Sequence, residues 1–153
     1  MMDESVLVLQ AQGLTTKEEV LTYLGQQLVD KGIAKESFLQ AILDREKVFA
    51  TGLQFEGYGV ALPHTDAEHV NKTQLAVLTL QEPVTFIQMA TTDQAVSVSL
   101  IIMLAIKEAH SQVEMLQKLM TFLQDKETVE QLLSLGKGQE SLVFDSLKAN
   151  HII

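Results

Sequence analysis

Cysteine and tryptophan are both absent from the 153 residues, and apolar stretches stay short. Without thiols there is no disulfide framework, no thiolate metal site and no cysteine nucleophile. Apolar residues make up 46% of the chain, yet no run approaches the roughly 18 that a spanning helix needs, so direct membrane insertion is not expected. Basic residues are scarce, 11 Lys and Arg against 20 Asp and Glu, for a net charge of −9. That balance disfavours a nucleic-acid backbone as partner and favours electrostatic steering toward a basic protein surface. The opening Met1-Met2-Asp3-Glu4 is acidic and lacks the basic start and apolar core of a secretory signal, which fits a cytoplasmic protein. There are only two prolines, and one of them, Pro63, stands directly before a histidine.

The length predicts one domain, residues 1–153, that buries about two thirds of its unfolded surface. Ser5 to Gln10 alternates loosely and reads as an edge strand. Thr16 with Glu19 makes a capping-box pattern, followed by Val20, Leu21, Leu24 and Leu28 at helical spacing up to Gly32. A second helix is expected over Lys35 to Glu46, burying Phe38, Leu39, Ile42 and Leu43. Leu75 to Leu80 and Pro83 to Ile87 read as two strands broken at Glu82-Pro83, and Ala95 to Ile106 as a central strand. Ser111 with Glu114 predicts another capping box, opening a helix with the stripe Val113, Leu116, Leu119 and Leu123. Asp125 is expected to cap a short helix carrying Val129, Leu132 and Leu133 as far as Gly136. A last helix holds Leu142, Val143, Phe144 and Leu147, before a frayed tail from Asn150 to Ile153. Helices, then four to five strands, then helices, with no internal repeat or linker, predict a single α/β sandwich.

The richest stretch for chemistry is Gly57-Tyr58-Gly59-Val60-Ala61-Leu62-Pro63-His64. The two glycines let the backbone bend and approach a neighbour, Val60 to Leu62 form a short apolar strand, and Pro63 fixes φ at its end. His64 is thereby presented at a strand end. With Thr51-Gly52-Leu53 ahead of Gly59-Val60-Ala61-Leu62-Pro63-His64, the segment resembles the phosphorylation motif of the fructose/mannitol-type enzyme IIA domains of the sugar phosphotransferase system. The resemblance extends from about Thr16 to Ala149 and implies a small mixed β-sheet flanked by helices. It further implies that His64 accepts a phosphoryl group from phosphorylated HPr through Nε2. From there the group passes to a cysteine of a cognate enzyme IIB, which feeds a membrane permease, IIC. No metal, nucleotide or organic cofactor is implied.

A neutral imidazole is a good nucleophile at neutral pH, and its phosphorus–nitrogen bond stays reactive enough to hand the group onward. The protein then has mainly to position and neutralise the phosphoryl oxygens. Arg45, in Asp44-Arg45-Glu46, matches an Arg-Glu pair that the resembling family carries before its motif. Thr51 and Thr65 are candidate hydroxyl partners. Family members also carry a second histidine before a Leu-x-x-Leu-x-x-Leu stripe, and aligning Val113, Leu116 and Leu119 with that stripe puts Gln112, not His110, at its position. Gln112 offers an amide donor there, and His110 offers the alternative of reaching in from earlier in the chain. Gln54-Phe55-Glu56 lengthens the loop before Gly57, and this departure, like Gln112, resembles the galactitol-type branch. Phe55 and Tyr58 are expected to form a partner-docking rim.

Two other readings compete. A metal-dependent enzyme would use His64, Asp66, Glu68 and His69, although His64-Thr65-Asp66-Ala67-Glu68-His69 fits no standard zinc spacing and no Gly-x-Ser-x-Gly elbow offers hydrolase chemistry. A regulatory protein would use the same phosphorylated histidine to control a transcription factor or transporter.

Overall fold

The structure, a computed structural model, describes residues 6–153. Five strands form one mixed sheet: β1 (Leu7–Ala11), β2 (Gly52–Phe55), β3 (Tyr58–Ala61), β4 (Gln74–Ile87) and β5 (Ala95–Ala105). Their order is β1-β4-β5-β3-β2, with β1 parallel to β4, β4 antiparallel to β5, β3 parallel to β5 and β2 antiparallel to β3. Helices α1 (Lys17–Asp30), α2 (Ser37–Val48), α3 (Ala109–Leu123), α4 (Lys126–Ser134) and α5 (Glu140–Ala149) flank it. The expected α/β sandwich with a small mixed sheet is what forms.

Burial along the strands shows where the helices lie. Gln74 to Leu80 on β4 and Leu100 to Ala105 on β5 are buried at consecutive positions, so both faces of the sheet are covered there. The other half of the same hairpin alternates, with Val84, Phe86, Val96 and Val98 buried between exposed or half-buried neighbours, so only one face is fully covered.

The first helix forms for the reasons legible in its sequence. The Thr16 hydroxyl accepts from the Glu19 N–H at 3.1 Å, and Glu19 Oε1 accepts from the Thr16 N–H, also at 3.1 Å. At the other end Gly32 takes φ +72°, and the Ile33 and Gly32 N–H groups donate to the carbonyls of Leu28 and Val29, which completes a Schellman stop. Asp125 caps α4 through the Thr128 N–H, and the helix ends at Ser134, short of Gly136.

Several expectations are corrected. The two strands assigned to Leu75–Leu80 and Pro83–Ile87 are one strand, β4, whose pairing with β5 merely shifts between Thr79 and Val84. Pro83 sits in that irregularity, where its missing N–H costs no ladder bond. β2 was not anticipated, because its strand identity comes from pairing with β3. The second helix runs two residues past Glu46, to Val48, and leaves Leu39 and Leu43 only half-buried. α3 begins at Ala109 with Glu108 as its cap residue, so Ser111 and Glu114 form no capping box. The Ser111 and Gln112 N–H groups already donate to the Glu108 carbonyl, which places Ser111 inside the first turn. The buried face of α3 is Met115, Leu119, Phe122 and Leu123, while Val113 is 57% exposed. The tail is tied down, because the Ile152 N–H donates to the Leu147 carbonyl and its side chain is buried. The edge strand starts at Leu7, and Ser5 lies outside the described residues.

Candidate functional site

β2 and β3 make a hairpin whose turn needs Gly57 at φ +87°. Gly59 answers a different need. A Cβ there would lie 2.2 Å from the Ser97 carbonyl oxygen, so only glycine lets β3 close against β5. Beyond β3 the backbone stays fastened on both sides. The Leu62 N–H donates to the Thr51 carbonyl at 3.2 Å, and the Leu104 N–H donates to the Pro63 carbonyl at 2.9 Å. His64 is the next residue and stands where this rigid segment ends.

Nδ1 of His64 lies 2.8 Å from the Leu62 carbonyl oxygen. A carbonyl can only accept, so Nδ1 carries the proton and Nε2 carries the lone pair. Burial pushes the imidazole pKa below its ordinary 6.5. The Leu62 bond opposes that shift, the Arg45 charge adds to it, and Asp66 opposes it. His64 is therefore a neutral base at neutral pH with a defined free nitrogen.

Arg45, in the last turn of α2, approaches the same segment. Its Nη1 is 3.4 Å from Asp66 Oδ1, and its guanidinium lies over the Phe49 ring, 5.0 Å from the centroid. Among the described residues its buried Nε has no hydrogen-bond partner. From α3, Gln112 Nε2 donates to the Thr65 carbonyl at 3.2 Å, while its buried Oε1 has no partner among the described residues. The structure thus brings Arg45 and Gln112 onto the two residues that follow His64. His110 is exposed on the first turn of α3. Thr65 is buried.

Thr51 has a different engagement from the one expected. Its hydroxyl donates to Glu46 Oε1 and its N–H to Glu46 Oε2, each at 2.8 Å. Glu46, 4% exposed, is a buried carboxylate whose engagement the sequence does not signal. Its partner is five residues away across a helix–strand junction, a spacing to which no periodic pattern points. Burial pushes its carboxyl pKa up, against the two Thr51 hydrogen bonds that hold it down.

Tyr58 does not stand on the exposed rim expected of it. Tyr58 is buried, with its hydroxyl donating to the Leu123 carbonyl, and Phe55 stacks on it with ring centroids 5.4 Å apart. The large apolar side chains left exposed near the His64 segment are Val48 and Phe49, just beyond Arg45, and Val113, next to Gln112. The folded loop does not gather the residues of the metal reading. Ala67–His69 is a 3-10 turn, His69 Nδ1 lies 2.8 Å from Ser37 Oγ, and its Nε2 lies 3.8 Å from Glu68. Among the described residues no three His, Cys, Asp or Glu side chains gather as a metal-holding group.

A family model described as "Phosphoenolpyruvate-dependent sugar phosphotransferase system, EIIA 2" matches residues 2–144. A galactitol-specific EIIA component of the phosphotransferase system from Escherichia coli is 34% identical over 123 residues, covering 80% of this chain and 81% of that protein. A probable licABCH operon regulator from Bacillus subtilis is 32% identical over 142 residues, which is 91% of this chain but 21% of the regulator. Among solved structures, the Escherichia coli complex of enzyme IIAMTL and phosphorylated enzyme IIBMTL contains a chain that superposes with a TM-score of 0.74. That chain is 29% identical, and the match covers 97% of this chain and 99% of that one.

Proposed function

This chain belongs to the EIIA type 2 family of the phosphoenolpyruvate-dependent sugar phosphotransferase system, and from that premise we propose that it is a phosphocarrier acting through His64. The Nε2 lone pair attacks the phosphorus of a phosphohistidine on phosphorylated HPr. The donor's phosphorus–nitrogen bond breaks, and its electron pair returns to the donor imidazole. A cysteine thiolate of an enzyme IIB then attacks the same phosphorus, the bond to His64 breaks, and the neutral imidazole is restored. The observation that carries this reading is the hydrogen bond from Nδ1 to the Leu62 carbonyl, which leaves Nε2 as the nucleophile.

Arg45 supplies positive charge and an unsatisfied Nε–H donor for the phosphoryl oxygens. Gln112 holds the Thr65 carbonyl, and with it the backbone after His64. Val48, Phe49 and Val113 offer the apolar contact on which the partner proteins alternate. The two galactitol-type departures, together with the galactitol-specific relative, favour a sugar alcohol as the transported cargo of the IIC permease. No helix among the described residues is long and apolar enough to cross a membrane, and we place the carrier in the cytoplasm, where HPr and IIB would meet it.

The test is to incubate the purified chain with separately prepared phosphorylated HPr. One equivalent of acid-labile phosphate, mapped to His64 and chased onto a IIB cysteine, is the expected result. A second reading, a regulatory module, is favoured by the match of most of this chain to one part of the operon regulator. It predicts uptake at His64 with no chase onto any IIB.

A further inference from the structure

Arg45 and Glu46 are neighbours in sequence whose side chains part company at the end of α2. Arg45 turns toward Asp66 and Phe49, beside the His64 segment. Glu46 turns inward and is 4% exposed. We infer that Glu46 is a positioning residue that sets where the Arg45 guanidinium stands relative to the His64 imidazole; the transfer part of this inference rests on the phosphocarrier reading above.

The connection is continuous. Both Glu46 oxygens accept from Thr51, one from its N–H and one from its hydroxyl, at 2.8 Å each. The Thr51 carbonyl accepts from the Leu62 N–H at 3.2 Å, and the Leu62 carbonyl accepts from His64 Nδ1 at 2.8 Å. One carboxylate therefore joins the helix turn that carries Arg45 to the strand end that orients the nucleophile. Phe49 and Ala50, the residues between α2 and Thr51, are left to bridge the turn, and among the described residues their one backbone bond is Phe49 N–H to the Arg45 carbonyl. Without Glu46 the helix end and the hairpin would be joined here by a short tether rather than a clamp.

The chemistry of the clamp explains why a carboxylate is buried despite its desolvation. Thr51 presents two donors, and only an acceptor-only group with two oxygens satisfies both. A glutamine would accept one and set its own NH2 against the other. The Thr51 hydroxyl is likewise replaceable by serine but not by valine.

The experiment uses the full chain with Glu46→Gln, Thr51→Val and Thr51→Ser, each checked for folding by circular dichroism. Two readouts are taken: kcat and KM for phosphoryl uptake from phosphorylated HPr, and the tautomer of His64 from imidazole 15N shifts in the unphosphorylated protein. Expected are a fall in kcat of about ten- to a hundred-fold for Glu46→Gln and Thr51→Val with KM little changed, since a misplaced group lowers rate without touching the docking rim. The same two variants should show a mixture of tautomers where the parent chain has Nδ1–H alone, and Thr51→Ser should restore both readouts. Folded Glu46→Gln with the parent kcat and a single tautomer overturns the inference. If Glu46→Gln does not fold, the valine and serine pair decides by the same criteria. If the parent chain itself takes up no phosphoryl group, the phosphocarrier reading fails, and the tautomer readout alone decides the role of Glu46.

Discussion

Two histidines five residues apart lie against opposite ends of the same helix and differ in what holds them. His64 abuts the Arg45 end of α2, with one nitrogen donating to a backbone carbonyl and the other left with its lone pair. His69 abuts the Ser37 end, with Nδ1 against a hydroxyl and Nε2 toward Glu68. The difference is one of partners. A fixed backbone acceptor leaves a defined free base at His64, whereas the Ser37 hydroxyl against Nδ1 ties His69 to the start of α2 and makes it a strut between the loop and that helix. Residue type alone does not say which ring nitrogen is free; the hydrogen bond on the other nitrogen does.

The largest effect that would break this contrast is loss of the proposed nucleophile itself. His64→Ala is expected to abolish uptake of acid-labile phosphate, while His69→Ala keeps the rate within about threefold, both with unchanged circular dichroism. Radiolabel transfer from phosphorylated HPr measures this, and label on the His64→Ala chain would show that the wrong histidine was chosen.

Next in size is Arg45. Its pair with Asp66 is solvated and contributes little to stability, so Arg45→Ala should leave the melting temperature within a degree or two, as for a neutral surface change. Transfer should slow by about ten- to a hundred-fold, the worth of a lost hydrogen bond to a charged transition state. Equal losses in stability and in rate would instead make Arg45 a structural residue like His69.

A smaller effect separates Gln112 from His110. Gln112 grips the Thr65 carbonyl and His110 is exposed, so Gln112→Ala should slow transfer to IIB by about tenfold and His110→Ala by less. Stopped-flow or quench kinetics would distinguish them. The reverse order would mean that the helix brings His110 over the site when the partner docks.

The smallest expected effect is thermodynamic. Burial holds the folded His64 pKa below 6.5, so on acidification the unfolded chain takes up the proton first. The His64 share of stability is thus fully present above 6.5 and declines as pH falls toward the lowered folded value. Glu46, pushed up from 4.5, has the opposite sign: its share is complete below 4.5 and is lost as pH rises through its folded value. Urea unfolding of the parent and His64→Gln chains from pH 7 to pH 5 isolates the histidine, because Glu46 is common to both. Parallel curves would show that His64 is not held neutral by the fold.

Much of this protein was legible in the chain where cause and effect are close in sequence. The Thr16–Glu19 box, the Gly32 stop and the Asp125 cap each satisfy backbone groups within a few residues. The His64 motif belongs to the same class, since Gly57, Pro63 and the bond to Leu62 are all local. What the chain left open was decided by partners far away. β2 exists because β3 pairs with it, and β4 runs unbroken through Pro83 because β5 carries it across the irregularity. Tyr58 leaves the expected rim for the core because the Leu123 carbonyl, 65 residues on, accepts its hydroxyl. Val113 faces solvent because burial on α3 was claimed by Met115, Leu119, Phe122 and Leu123. Gln112 meets Thr65 across 47 residues, and a helix start by itself does not reveal which strand end it will face. Caps and turns are set by short-range sterics and hydrogen bonds that a sequence states outright. Which face is buried and which side chains converge depends on the sum of long-range contacts, and that sum exists only once the sheet has closed.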